Sequence, residues 1–363
     1  MFTPKRCEFD HLLEVHFRVV ASLCKKDNSS VRARTYIHKT IGHKREFKVI
    51  DQILDILDEE KFLLQNIADT SLITESDIMG KIWIPLIKKV LFVRGNLVRT
   101  KVGETIPPHS QEEKMLQYDD AKNIKAFKVD IRFIFDLEGK EYDVGAGEVA
   151  RETADKAKIL HDKSKLLREG KDVLDGILKA VIVEGNAQKA VGHAIQIKGL
   201  CAQVISVYLT NTGLYVAIPV FKIYFPISLL HLNDFADGLK NMFRFVDFLC
   251  DNAKLYESAI MSRKRRISSI DFDYNMQQRK LPAHSLLGLI KPTYYSPVNN
   301  DRFCSVFDLP DTKESRDTPS PEPNVEEGFA FTSNTDENGW IMLDSGNWFH
   351  RETNITLNNS PYE

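Results

Sequence analysis

The stretch KVDIRFIFDLEGKEYDVGAGEVARE, residues 128–152, is a β-hairpin pattern: two runs of alternating and β-branched side chains around a turn at 137–140. Pairing outward from that turn sets Asp130 opposite residue 147 or 148, because turn length fixes hairpin register. The segments beyond the hairpin narrow the fold further. Residues 152–181 contain no proline and repeat apolar and charged residues at helical spacing. From about residue 181 to 224 the period drops to two, with turn signals at Gly185, Gly199 and Asn211 to Gly213. PISLLHLNDFADGLKNMFRFVDFLCDNAKLY then returns to helical spacing. Strands on either side of a long helix require an α/β body, a mixed sheet flanked by helices, ending near Tyr256.

Upstream, residues 1–70 read as a helical N-terminal extension, with Ile50, Ile53, Leu54, Leu57 and Leu64 at helical spacing. Thr74 followed by Asp77 fits a capping box, and Ile78, Ile82, Leu86 and Val90 continue as an apolar stripe. Pro85 inside that stripe predicts a kink or a split helix. Residues 71–260 form the core, with strand VIVEG expected after the long helix. Residues 261–363 read as a largely disordered tail, since LPDTKESRDTPSPEPNVEEG is rich in proline and acids and poor in core residues. Within it, GWIMLDSGNWFHRET regains two tryptophans and suits docking on a protein partner or on the body.

The 49 Lys and Arg against 51 Asp and Glu leave a net charge of -2, so attraction to nucleic acid must come from a local patch. The five cysteines, Cys7, Cys24, Cys201, Cys250 and Cys304, never form a C-x-x-C pair. Neither a disulfide framework nor a zinc site is indicated, and a reducing, intracellular setting is expected. No apolar run reaches membrane-helix length, so no membrane partner is expected. RKRR at 263–266 suits a nuclear-import peptide at the start of a flexible tail. No phosphate-binding G-x-x-x-x-G-K-[ST] loop is present, and GAGEVA has the wrong spacing for a dinucleotide fingerprint.

Chemistry concentrates on the hairpin. Asp130 lies between Val129 and Ile131, where an acid is costly unless exposed or paired. Glu148 lies near the end of the other arm, and two facing carboxylates suit one hard cation such as Mg²⁺ or Mn²⁺. Such an ion polarises a phosphodiester and lowers the pKa of a bound water.

This layout resembles the PD-(D/E)XK nuclease superfamily, whose signature is an Asp on one strand and Glu-x-Lys on the next. Residues 71–256 are also similar to a group of uncharacterised fungal proteins with the same order of helix, hairpin, helix and strands. The resemblance implies a restriction-endonuclease-like core with Asp130 and Glu148 as metal ligands, and Glu75, on the preceding helix, as an auxiliary ligand. It implies metal-dependent phosphodiester hydrolysis in DNA or RNA.

One departure matters, because the signature lysine is Ala150. Some members draw the basic group from a neighbouring helix, and Arg151, Lys156, Lys158 and Lys163 lie just beyond the hairpin, with Lys156 and Lys158 the candidates for this role. The alternative is a degenerate site on a non-catalytic interaction module. Each residue also has a plainer explanation: Glu75 suits the positive end of a helix dipole, and the lysines, interleaved with Asp155, Asp162 and Glu169, suit a solvated helix face. Oligomeric state is open.

Overall fold

The computed structural model describes residues 4–41, 44–69, 71–117, 126, 128–181, 187–270, 288–293, 340–342, 348–350 and 355–357. It comprises two compact units, residues 1–297 and 298–363.

The first unit begins with helices α1 (Pro4–Asp27), α2 (Val31–Tyr36), α3 (Lys48–Glu59) and α4 (Lys61–Gln65). In α3 the expected stripe is buried, including Ile50, Ile53, Leu54 and Leu57. The capping box at Thr74 forms as expected and starts α5 (Glu75–Asp77): Asp77 N–H donates to Thr74 Oγ1 at 3.1 Å and Thr74 N–H to Asp77 Oδ2 at 3.1 Å. The chain then widens into a π-helical turn, Ile78–Trp83, before α6 (Ile84–Val93), with Pro85 in the first turn of α6. Proline removes one helical donor and crowds the preceding turn, and the wider turn absorbs both effects.

A six-stranded sheet comes next, ordered as in the chain: β1 (Arg99–Thr105), β2 (Val129–Leu137), β3 (Lys140–Ala150), β4 (Gly192–Lys198), β5 (Cys201–Leu209) and β6 (Tyr215–Tyr224). All neighbours are antiparallel except β3 and β4. The hairpin closes at Leu137 opposite Lys140, around Glu138 and Gly139 with φ of 54° and 75°. Two successive positive φ values match the right-handed twist of the strands. A bulge after Phe133 resets the register so that Ile131 faces Gly147. Asp130 and Glu148 are the residues that follow this last pair outward on the two strands.

The parallel pairing of β3 and β4 requires a crossover, which is α8 (Lys156–Val181). This helix lies very close to the sheet. A Cβ on Gly192 would stand 2.0 Å from Gly170 O, and one on Gly170 would meet Val207 at 3.2 Å. On the other face runs α9 (Ala236–Ile270), where Asn252 Nδ2 donates to Val144 O at 3.1 Å and Val191 O at 2.8 Å. Trp83, fully buried, donates from Nε1 to Gly199 O at 2.9 Å and ties the α6 run to the end of β4. The mixed α/β sheet flanked by helices is thus the observed architecture.

Several elements differ from expectation. Ala180 and Val181 complete α8 instead of opening a strand, and the rest of VIVEG lies outside the described residues. The edge strand β1, largely exposed, and helix α7 (Pro108–Gln117) had no clear periodicity to announce them. Helix α9 does not stop near Tyr256 but continues through RKRR. Arg263 there donates to Lys179 O at 3.0 Å and Ala180 O at 2.7 Å, capping the carbonyl end of α8, and Lys264 pairs with Glu138. The basic run is therefore helical up to residue 270, not the start of a flexible segment.

Part of the expected tail also packs on the body: Thr293, buried, donates to Asp172, and Lys171 donates to Thr293 Oγ1 at 2.9 Å. Buried carboxylates on α8 hold that segment. The proline-rich stretch at 308–335, expected to be disordered, lies outside the described residues. In the second unit the described residues form an antiparallel three-stranded sheet, β7 (Trp340–Met342), β8 (Trp348–His350) and β9 (Ile355–Leu357). No helix among the described residues is long and apolar enough to cross a membrane.

The contact between α8 and β4 leaves no room for a methyl group. Gly192→Ala is expected to destabilise the protein by about 3 kcal/mol or more, because backbone cannot yield as a side chain does. Gly80→Ala, where a Cβ meets nothing within 4 Å, should instead be neutral or stabilising by up to about 1 kcal/mol. Urea unfolding midpoints of the two variants check both expectations.

Candidate active site

The site lies between α8 and the open end of the hairpin. Asp130 lies one residue beyond the last β2–β3 pair, Ile131 opposite Gly147, and its Oδ2 accepts the backbone N–H of Val149 at 2.9 Å. That bond holds the carboxylate across the strand gap beside Glu148. Glu148, almost fully buried on the α8 face, meets Lys165 of α8, with Nζ 2.7 Å from Oε2. The second oxygen, Oε1, is buried and has no hydrogen-bond partner. Gln196, paired with Glu148 across β3 and β4, donates from Nε2 to Ile159 O at 3.1 Å and fixes the first turns of α8.

Glu75 reaches the same cluster from the start of the α5 run by pairing with Lys158, whose Nζ also lies 4.0 Å from Asp162. Asp130 feels the charges of Lys165, Glu75 and Asp162. The structure therefore brings together Asp130, Glu148, Glu75 and Lys158. Lys156, the first residue of α8, is exposed and forms no ion pair among the described residues. Ala150 is buried at the end of β3.

Burial dominates the electrostatics. It pushes the Asp130 carboxyl above its ordinary range against the Val149 N–H bond. For Glu148, burial first and the Asp130 charge second raise the pKa to about 8, while Lys165 pulls the other way. Near neutrality Glu148 thus keeps its proton and accepts from the Lys165 ammonium. A cation placed between the two acids would replace that proton, the usual coupling of metal binding to deprotonation.

Among the described residues no group of three or more His, Cys, Asp or Glu side chains is arranged to hold a metal ion. Two carboxylates remain a fitting donor set for Mg²⁺ or Mn²⁺, which bind few protein oxygens and keep several waters. The unpartnered Glu148 Oε1 fits that use, since a buried acceptor left without a donor costs stability.

Sequence reasoning missed Lys165 and Asp162. Lys158, Asp162, Lys165, Glu169 and Asp172 succeed one another at spacings of 4, 3, 4 and 3, so they share one face of α8. That face looks inward: Asp162, Glu169 and Asp172 are buried. The signal was in the spacing, and the alternating charges concealed it.

The raised Glu148 pKa has a definite sign. Between about 4.5 and about 8 the unfolded chain ionises this glutamate while the native state keeps its proton, so its contribution to stability falls as pH rises through that window. In Glu148→Gln, studied with chelator, the fall should shrink by about 1–4 kcal/mol between pH 5 and 8, at about 1.4 kcal/mol per pKa unit. Urea unfolding across pH reads it, and parallel curves for the two proteins would mean that native Glu148 is ionised throughout. No protein-family model matches the sequence, and neither a curated protein nor a solved structure matches the chain, so the site is read from its own geometry.

Proposed function

We propose that this protein is a metal-dependent phosphodiesterase acting on nucleic acid, of the PD-(D/E)XK type, with Asp130 and Glu148 as the metal-holding carboxylates. The observation that carries this reading is the meeting of Asp130, the buried Glu148 and Lys165 at the open end of one hairpin. The element order supports it: helix, three antiparallel strands, crossover helix, then a strand parallel to the third.

In this reading Lys165 supplies from α8 the ammonium that Ala150 does not supply from β3. Its Nζ touches Glu148, where the side chain of a strand lysine two residues on would share the face. Glu75 and Lys158 form an outer pair that orients substrate or solvent at the rim. A bound Mg²⁺ or Mn²⁺ would supply polarisation of the phosphate and a water of lowered pKa. The chain's own part is to hold two acids in a dry setting, to release the Glu148 proton, and to place one ammonium beside the phosphate's developing charge.

The second reading is a non-catalytic interaction module with the same fold. Ala150 favours it, because the signature residue is absent from its strand.

Wild-type protein should cleave single- or double-stranded DNA or RNA with Mn²⁺ or Mg²⁺, and Asp130→Ala and Lys165→Met should each lose about 100-fold or more in rate. Calorimetric Mn²⁺ affinity should rise as pH goes from 6 to 8, by up to about tenfold per unit for one displaced proton. Absence of both cleavage and Mn²⁺ binding in the wild type would leave the interaction module as the better account.

A further inference from the structure

A second polar feature lies on the helical side of the first unit, outside the carboxylate cluster. An open cavity of about 420 Å³ is lined by Gln52, Gly80, Pro85, Lys88, Lys89 and Phe92. Above it, the Arg45 guanidinium stands 4.0 Å from the centre of the Phe92 ring and the Lys48 ammonium 5.4 Å from it. Four cations thus surround one groove between the start of α3 and the end of α6.

Many of the protein's other cations are neutralised locally. Arg34, Arg94, Arg99, Arg132, Lys158, Lys165, Lys171 and Lys179 each meet a carboxylate. Arg45, Lys48, Lys88 and Lys89 form no ion pair among the described residues. The Asp51 carboxyl feels the charge of Lys89. In a chain of net charge -2, four cations around one cavity that form no ion pair among the described residues are a local positive field of the kind that attracts a polyanion.

The form of the groove decides which anion. A compact phosphate metabolite is held by fixed, convergent donors, as in bidentate or backbone cradles. Here every cation is carried on a long flexible stem over an open groove, which suits the evenly spaced charges of a nucleic-acid backbone. Arg45 already covers Phe92, so the aromatic ring orients the cation and does not serve as a base platform.

The groove shares one helical run with the carboxylate site. Gly80, Lys88 and Lys89 belong to the same helical run that Glu75 begins, and 14 residues at about 1.5 Å each put Lys89 within about 20 Å of Glu75. That is the length of about six nucleotides at roughly 3.4 Å per step.

We propose that Arg45, Lys48, Lys88 and Lys89 form a backbone-tracking groove that holds a nucleic-acid strand about six nucleotides from Glu75, at the rim of the carboxylate site. The groove rests on the nuclease reading for its substrate, but it acts by charge alone and needs no metal.

The test uses full-length Asp130→Ala protein in EDTA, so that binding is read without cleavage, and a fluorescein-labelled single-stranded oligonucleotide followed by anisotropy. Adding Lys88→Gln with Lys89→Gln should weaken binding about tenfold and lower the slope of log affinity against log salt by about 1.4, two contacts at about 0.7 each. Gly80→Glu, at a position where a Cβ meets nothing within 4 Å, should weaken binding by adding a negative charge to the groove lining, with an unchanged circular dichroism spectrum.

Unchanged affinity and slope in both variants would overturn the proposal, as would a parent protein that does not bind the strand. Displacement of the strand by inorganic phosphate at micromolar concentration would assign the groove to a small anion and also overturn it. Cleavage by the wild type with Mn²⁺ is scored separately. Groove-dependent binding without cleavage sinks the catalytic reading and keeps the groove, and cleavage unaffected by the groove variants does the reverse.

Discussion

The seat of α8 on the sheet is the constraint on which the rest of the first unit depends. Gly170 and Gly192 meet without side chains between them, and a small apolar cluster of Val129, Ala146, Leu166 and Ala194 fills the space nearby. Large side chains are excluded there, so the helix approaches at backbone contact. Residues that flank this contact on α8 are then carried below the solvent whether they are apolar or charged. That is how Asp162, Glu169, Asp172 and Asp175 come to be buried on one helix.

Buried charge on this scale must be compensated, and the two ends of the interface do it differently. Toward the hairpin turn, Arg132 and Asp143 form a two-bonded pair at 2.7 and 2.9 Å, and Asp175 receives Lys171 and the Tyr215 hydroxyl. These groups have partners suited to their chemistry and read as structural. Between the two ends, Glu169 is fully buried, accepts one hydrogen bond from Ser110, and is held well above the usual carboxylate range by burial and by Asp172 and Asp143. It is stable there as the neutral acid. At the open end, Asp130 and Glu148 share one backbone N–H and one lysine, and one Glu148 oxygen has none. Glu169 likewise has one buried oxygen, Oε1, without a hydrogen-bond partner among the described residues.

The remaining elements hold these groups in place. The α5 run delivers Glu75 because its capping box fixes where that helix begins, and the π-helical turn before Pro85 allows the run to continue into the core. Asn252 locks α9 across the seam where β3 and β4 run parallel. Thr293 and Lys291 tie residues 288–293 to the second half of α8 through Asp172 and Lys171, and Arg263 caps its carbonyl end. The helix that carries Lys165 is therefore held at both ends, which limits how far the Lys165 ammonium can move from Glu148.

The α/β order, the hairpin and its turn, the capping box at Thr74 and the break near Pro85 were legible in the sequence, because each arises from local periodicity or local backbone chemistry within about ten residues. That Asp130 comes opposite residue 147 or 148 was legible too, since the turn sets register to within one residue, and the bulge after Phe133 decided between the two. Strand β1 was not, because an exposed edge strand carries no apolar alternation, and the helical state of Arg263 to Arg266 was not, because a basic run on a helix end reads the same as one in a linker. Only the tertiary structure decided that Lys165, 17 residues beyond Glu148, is its partner, and that the charged stripe of α8 faces inward. The reason is physical: inward and outward faces of a charged helix have the same spacing, and the choice is made by a glycine contact between residues 170 and 192 that no local pattern records.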